Sequence, residues 1–137
     1  MGITKDEITL TNAVDKGNVK RGLMDEKDIR SVTVRAVADT GALRLTMPES
    51  LRRQLGLEIL KKVPATLGDG EKVQLGLTEG VEVRWRDRAE ITQAWVVDKE
   101  CPVLLGAIPM EGMDIMVDPK NQRLVGVHGE EQLGILY

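Results

Sequence analysis

The 137-residue chain has no phenylalanine, one cysteine, one histidine, one tyrosine and two tryptophans. A single cysteine excludes an internal disulfide, and Cys101 with His128 cannot make a structural zinc site or a Ser-His-Asp relay. Cys101 lies between Glu100 and Pro102 at the start of an apolar run, the setting of a half-buried small hydrophobe and not of a nucleophile. Trp85 and Trp95 fall in predicted strands, where packing in the core or sheet is expected before a role as a substrate wall. No basic stripe is present. Net charge is -3, the signs are interspersed, and Lys20-Arg21, Arg52-Arg53 and Lys61-Lys62 are isolated pairs, so no nucleic-acid partner is expected. No apolar run approaches the roughly 18 residues of a membrane span, and the opening Met1-Gly2-Ile3-Thr4-Lys5-Asp6 lacks a basic segment followed by an apolar one. The expectation is therefore no membrane partner and a cytoplasmic protein. Met1-Gly2 fails as a myristoylation signal because Asp6 stands where Ser or Thr is wanted.

What is present is the balance of a folded globular protein, 42% hydrophobic and 30% charged, over a length suited to one domain, residues 1–137. Period-two patterns dominate, with branched residues in short runs between turn signals, and predict a mostly β fold. Strands are expected at 7–11, 29–38, 72–77, 81–86, 91–97, 102–105, 114–117 and 123–127, with another possible at 132–137. The stretch 48–56 has proline in its first turn, an early acid, later bases and a terminal glycine, which predicts a two-turn helix with Leu51 and Leu55 facing one way. Leu67-Gly68-Asp69-Gly70-Glu71 predicts a hairpin tip. Residues 106–113 have room for one or two helical turns, 12–22 read as a surface loop, and Asp118-Pro119 opens the turn before the last strand.

At the end of the apolar run Val32-Thr33-Val34-Arg35-Ala36-Val37-Ala38 stands Asp39-Thr40-Gly41-Ala42. Alone it is weak, since chance supplies Asp-Thr-Gly in roughly a few per cent of chains this long and all three residues form ordinary turns. About 65 residues on comes Leu104-Leu105-Gly106, followed by the short helical segment. The order strand, Asp-Thr-Gly-Ala, short helix, glycine-tipped hairpin, strands, Leu-Leu-Gly and short helix resembles the retropepsin-like aspartic proteases. The stretch 104–119 with the following Asn121-Gln122-Arg123-Leu124-Val125 resembles their microbial single-lobe branch.

The resemblance implies an all-β closed-barrel lobe with one or two short helices that acts as a homodimer on peptide or protein substrates without a cofactor or metal. Asp39 would be the catalytic acid and base, one from each chain. Thr40 would bond across the two-fold axis, and Gly41 would let the backbone approach the pair. Leu104, Leu105 and Gly106 would cross behind the turn and support it, while Ala42 and the flap residues Gly68, Asp69 and Gly70 would meet substrate. Two carboxylates that share a proton imply activity at acidic to mildly acidic pH. Two features depart from viral relatives: Leu43 stands where they have an acid, and Ala107 where they have an arginine. Losing both partners is coherent, because losing one would strand a charge at about 3 to 5 kcal/mol. The alternative is a dimerising or peptide-binding module of the same fold without hydrolysis. A metal-dependent hydrolase built on Glu111, Asp114, Asp118 and His128 has only scattered acids behind it, which surface charge explains. The apolar end, Leu133-Gly134-Ile135-Leu136-Tyr137, seeks cover on its own domain or on a partner chain.

Overall fold

A computed structural model describes residues 2–132. Its elements are β1 (Lys5–Asn12), α1 (Ala13–Lys20), a single 3-10 turn (Glu26–Asp28), β2 (Ser31–Ala38), β3 (Leu45–Pro48), α2 (Glu49–Leu55), β4 (Ile59–Thr66), β5 (Lys72–Thr78), β6 (Val81–Trp85), β7 (Arg88–Thr92), β8 (Ala94–Val97), β9 (Leu104–Leu105), α3 (Ala107–Gly112), β10 (Ile115–Asp118) and β11 (Arg123–Gly126). The fold is mostly β with few short helices. The final strand considered for 132–137 and the apolar end 133–137 lie outside the described residues, Gln132 excepted.

Nine strands form one sheet in the order β4-β5-β8-β3-β9-β2-β1-β6-β7, and β10 with β11 makes a separate hairpin. Among the described residues β4 and β7 each have one strand partner, so the pairing leaves the sheet open and the closed barrel implied by the resemblance is not seen. The core gathers under one face. Leu10, Leu45, Met47, Leu55, Val81, Val83, Ala94 and Met113 are all fully buried there.

Several expectations hold at the level of single residues. Leu51 and Leu55 of α2 are buried, and Gly56 ends the helix in the left-handed conformation (φ 64) that favours glycine. Pro48 closes β3 and caps the helix from outside its first turn. The hairpin tip forms between β4 and β5, and α3 fills the short segment after Gly106.

The differences have physical causes. The loop expected at 12–22 contains α1, because Asn12 Oδ1 accepts from Asp15 N–H at 3.0 Å and caps the helix. Its buried residue is Asp15, not an apolar one, so no helical period of hydrophobics is there to be read. The Asp15 carboxylate accepts from Arg30 N, Nε and Nη2 at 2.9 to 3.0 Å, and those bonds hold its pKa below the ordinary value. The expected strand 91–97 is two strands that break at Gln93, β7 pairing with β6 while β8 pairs with β3 and β5. β4 was hidden by Lys61, Lys62 and Pro64, which a sheet tolerates here because β4 is an edge strand. β3 is four residues long and too short for a period to emerge.

The β10–β11 hairpin is fastened by a buried cation. Arg88 is 2% exposed, and its guanidinium donates to the carbonyls of Met113, Asp114 and Gly129. Asp114 adopts a left-handed conformation (φ 57), and both its carboxylate oxygens lie 2.8 Å from His128 Nδ1.

Candidate active site

Asp39 follows β2 directly and remains tied to the sheet. β2 runs parallel to β9 with Val37 opposite Leu104 and Ala38 opposite Leu105, and Asp39 N–H donates to Leu105 O at 2.9 Å. The chain then turns. Asp39 Oδ1 accepts from Gly41 N–H at 2.9 Å and Asp39 O accepts from Ala42 N–H at 3.1 Å, an Asx turn that fixes the carboxyl group by its own backbone. Among the described residues Asp39 Oδ2 and the Thr40 hydroxyl have no hydrogen-bond partner, and Thr40 and Gly41 are exposed.

The second motif locks this turn from behind. Ala107 N–H donates to Ala42 O at 2.8 Å and Ile108 N–H donates to Leu43 O at 2.9 Å, so the first free donors of α3 are spent on the turn. Gly106 lies between them with no room for a side chain. A Cβ there would sit 2.5 Å from Arg44 O and 2.8 Å from Ala42 O and Arg44 N, all backbone atoms. Leu105 is buried at 1% and Leu104 is half-buried on the opposite face. Asp39, Thr40, Gly41 and Ala42 are thus brought together with Leu104, Leu105 and Gly106. The backbone bonds from Ala107 and Ile108 join the loop that carries Leu43 to the start of α3, and Leu43 is left 62% exposed.

Gly68, Asp69 and Gly70 occupy the β4–β5 tip. Gly70 N–H donates to Leu67 O at 2.9 Å, Glu71 N–H donates to Asp69 Oδ1 at 2.9 Å, and Gly70 has φ 86. β5 pairs with β8 only from Leu75 to Leu77, so toward the tip the hairpin is a two-stranded ribbon. Among the described residues no hydrogen bond or ion pair connects this tip to the Asp39 turn.

The register places further residues beside Asp39. Val37, Leu104, Thr46, Trp95 and Leu77 stand opposite one another in a row across β2, β9, β3, β8 and β5. Side chains alternate along a strand, so Asp39 follows Val37 on this face. The opposite face of the same strands carries Ala36, Leu105, Leu45, Ala94 and Val96, all buried, whereas Val37, Leu104, Thr46 and Trp95 are only half-buried. Arg44, two residues before Thr46, lays its guanidinium 5.7 Å from the Trp95 ring centre. For Trp95 the sequence favours core or sheet packing over a substrate wall, and Arg44 carries no expectation. The tryptophan itself was a visible signal, but its neighbours depend on the pairing of β3, which sequence periodicity did not reveal.

Among the described residues no group of three His, Cys, Asp or Glu side chains could hold a metal ion. Asp118 is engaged with Asn121 and Arg123. Burial, and after it the charge of Glu100, raises the Cys101 thiol above its ordinary pKa, away from a reactive thiolate. Among the described residues no helix is long and apolar enough to cross a membrane.

Comparison with known proteins adds three findings. A family model described as aspartyl protease matches residues 26–125, a span that includes the Asp39 turn, the hairpin tip and Leu104-Leu105-Gly106. No curated protein sequence matches the chain. Among solved structures, EIAV protease complexed with the inhibitor HBY-793 is similar at 24% identity with a TM-score of 0.43, over 54% of this chain and 70% of that one.

Proposed function

The chain belongs to the aspartyl protease family, and from that premise we propose that it is an endopeptidase whose active site is a pair of Asp39 carboxylates, one from each subunit of a homodimer. The observation that carries this reading is the Asp39 turn itself. One carboxylate oxygen is pinned by Gly41 N–H, the other has no partner among the described residues, and the backbone behind is braced by Leu105 and Gly106. A single carboxylate supplies only half of what amide hydrolysis needs. Two held about 3 Å apart cannot both ionise, so the pair keeps one proton, the behaviour for which aspartic proteases are the standard example.

In the reaction the charged carboxylate takes a proton from water as its oxygen attacks the peptide carbonyl carbon. The protonated carboxyl gives its proton to the carbonyl oxygen. The tetrahedral adduct then collapses, the C–N bond breaks, and the leaving nitrogen is protonated by the pair. Gly41 lets the backbone lie close beside the carboxylates, and the exposed Thr40 hydroxyl bonds to the partner chain. Gly68, Asp69 and Gly70, at the tip of the β4–β5 ribbon, close over an extended substrate that Ala42 meets from below.

The test is cleavage of a diverse peptide mixture from pH 3 to 8, read by mass spectrometry, with the native chain and Asp39→Asn at equal concentration. Loss of cleavage in the variant, with native activity rising more steeply than linearly with protein concentration, is the expected result. No cleavage by a native chain that sediments as a dimer overturns hydrolysis in favour of a peptide-binding role.

A further inference from the structure

Arg44 is a half-buried cation beside the Asp39 turn, and among the described residues it has no carboxylate partner. Its place is rigid at both ends. Its backbone packs on Gly106, where even a Cβ would meet Arg44 O and N, and its guanidinium stands over the Trp95 ring. A guanidinium over an aromatic face spends none of its N–H donors on the ring, and those donors can grip a carboxylate with two parallel bonds. Trp95 lies in the row Leu77, Trp95, Thr46, Leu104 and Val37, on the face Asp39 occupies. Past Val37 the row ends on β1 at Lys5, which faces Val37 across the pairing, is exposed and makes no ion pair among the described residues. The row itself holds no carboxylate, Lys5 stands at its β1 end, and Arg44 lies beside its middle over Trp95.

We propose that Arg44, held over Trp95, is a specificity-determining residue that selects peptides with an Asp or Glu side chain near the bond to be cleaved. The inference rests on the protease reading for its role in turnover, but the acidic subsite is a property of the sheet face and can be measured without hydrolysis. An unpaired cation held against an apolar wall forgoes a partner that a substrate carboxylate supplies, and its fixed orientation spares the cost of ordering a long side chain on binding.

The experiment has two arms, with random-sequence decapeptides as the probe. In the first, cleavage products are sequenced for the native chain, Arg44→Gln, Arg44→Lys and Arg44→Glu. The native chain is expected to favour Asp and Glu over Asn and Gln about tenfold at one position near the cleaved bond. Arg44→Gln loses the preference, Arg44→Lys keeps part of it, and Arg44→Glu turns it toward Lys and Arg. In the second, immobilised Asp39→Asn protein, with and without Arg44→Gln, is used to retain decapeptides, and the bound fraction is read for acidic enrichment. Circular dichroism and sedimentation of each variant report folding and assembly. Cleavage with no acidic preference overturns the subsite and leaves the protease reading standing. Arg44-dependent retention of acidic peptides with no cleavage does the reverse. An Arg44→Gln protein that changes sedimentation but not peptide choice assigns the cation to the subunit contact and also overturns the inference.

Discussion

Replacing Gly106 by alanine tests how the two motifs hold each other. Gly106 has φ -87, which any residue adopts, so the change carries no backbone penalty and its whole effect is steric. The added methyl would sit 2.5 Å from Arg44 O and 2.8 Å from both Ala42 O and Arg44 N. None of these atoms can swing aside as the end of a flexible side chain could, so the loop 42–44 must move as a unit. Overpacking of this kind costs about 1 to 3 kcal/mol. The displacement also strains the bonds from Ala107 N–H to Ala42 O and from Ile108 N–H to Leu43 O, each contributing about 1 kcal/mol net. The expected loss is about 2 to 4 kcal/mol, a fall in Tm of about 10 °C for a chain of this size. Urea unfolding followed by tryptophan fluorescence measures it, and Gly68→Ala is the control, because nothing lies within 4 Å of a Cβ at Gly68. A Gly106→Ala protein within about 0.5 kcal/mol of the native chain would refute the bracing, and with it the reason for a glycine after Leu104-Leu105.

The Asp15–Arg30 pair gives a pH signature. Folding depresses the Asp15 pKa through its bonds to Arg30, so its contribution is whole above the ordinary value of 3.8 and is lost as pH falls through the lower folded value. Acid titration of stability is expected to show this loss below about pH 4 in the native chain and a smaller one in Asp15→Asn, with equal acid slopes counting against it. Arg30→Ala removes the Nε and Nη2 donors from a carboxylate that is 2% exposed and leaves it only the backbone N–H of residue 30; Arg30 is itself 47% exposed, so about 2 kcal/mol is expected at pH 7, less than for a wholly buried pair. Asn12→Ala removes the α1 cap and the bond from Nδ2 to Leu55 O, and chemical denaturation should register about 2 kcal/mol. Arg88→Met leaves the carbonyls of Met113, Asp114 and Gly129 without their buried donor and should cost about 3 kcal/mol. Amide hydrogen exchange should then speed first in β10 and β11, and uniform acceleration across the sheet would contradict the fastening role.

The sequence carried the parts of the fold that depend on local chemistry. The run before Asp39, the Gly56 stop, the Gly68-Asp69-Gly70 tip and the glycine after Leu104-Leu105 were legible because each needs a particular residue type at one position. What it did not carry depends on distant partners. α1 buries a charged Asp15 whose partner Arg30 lies beyond the next turn, so its pattern reads as a polar loop. β4 shows two lysines and a proline because only one side of it is paired. β3 is a strand by virtue of β8 and β9 on either side, and without that pairing neither the Arg44–Trp95 contact nor the row beside Asp39 could be assembled.

The same alternation that builds the core also explains why the end of β2 suits the carboxylate proposed as catalytic. Ala36 and Leu105 go under the sheet, so Val37, Leu104 and Asp39 go over it. Beside Asp39 the strands β2, β9, β3 and β8 repeat that division, with Ala36, Leu105, Leu45 and Ala94 buried on one face and Val37, Leu104, Thr46 and Trp95 half-covered on the other. A sheet that buried both faces would leave Asp39 desolvated and uncharged, while one fully open to water would weaken every interaction the carboxylate makes. The half-covered face avoids both extremes only if something closes over it. The β4–β5 ribbon and a second copy of the chain are the two covers the proposed function requires, which is why activity is expected to depend on protein concentration and not on Asp39 alone.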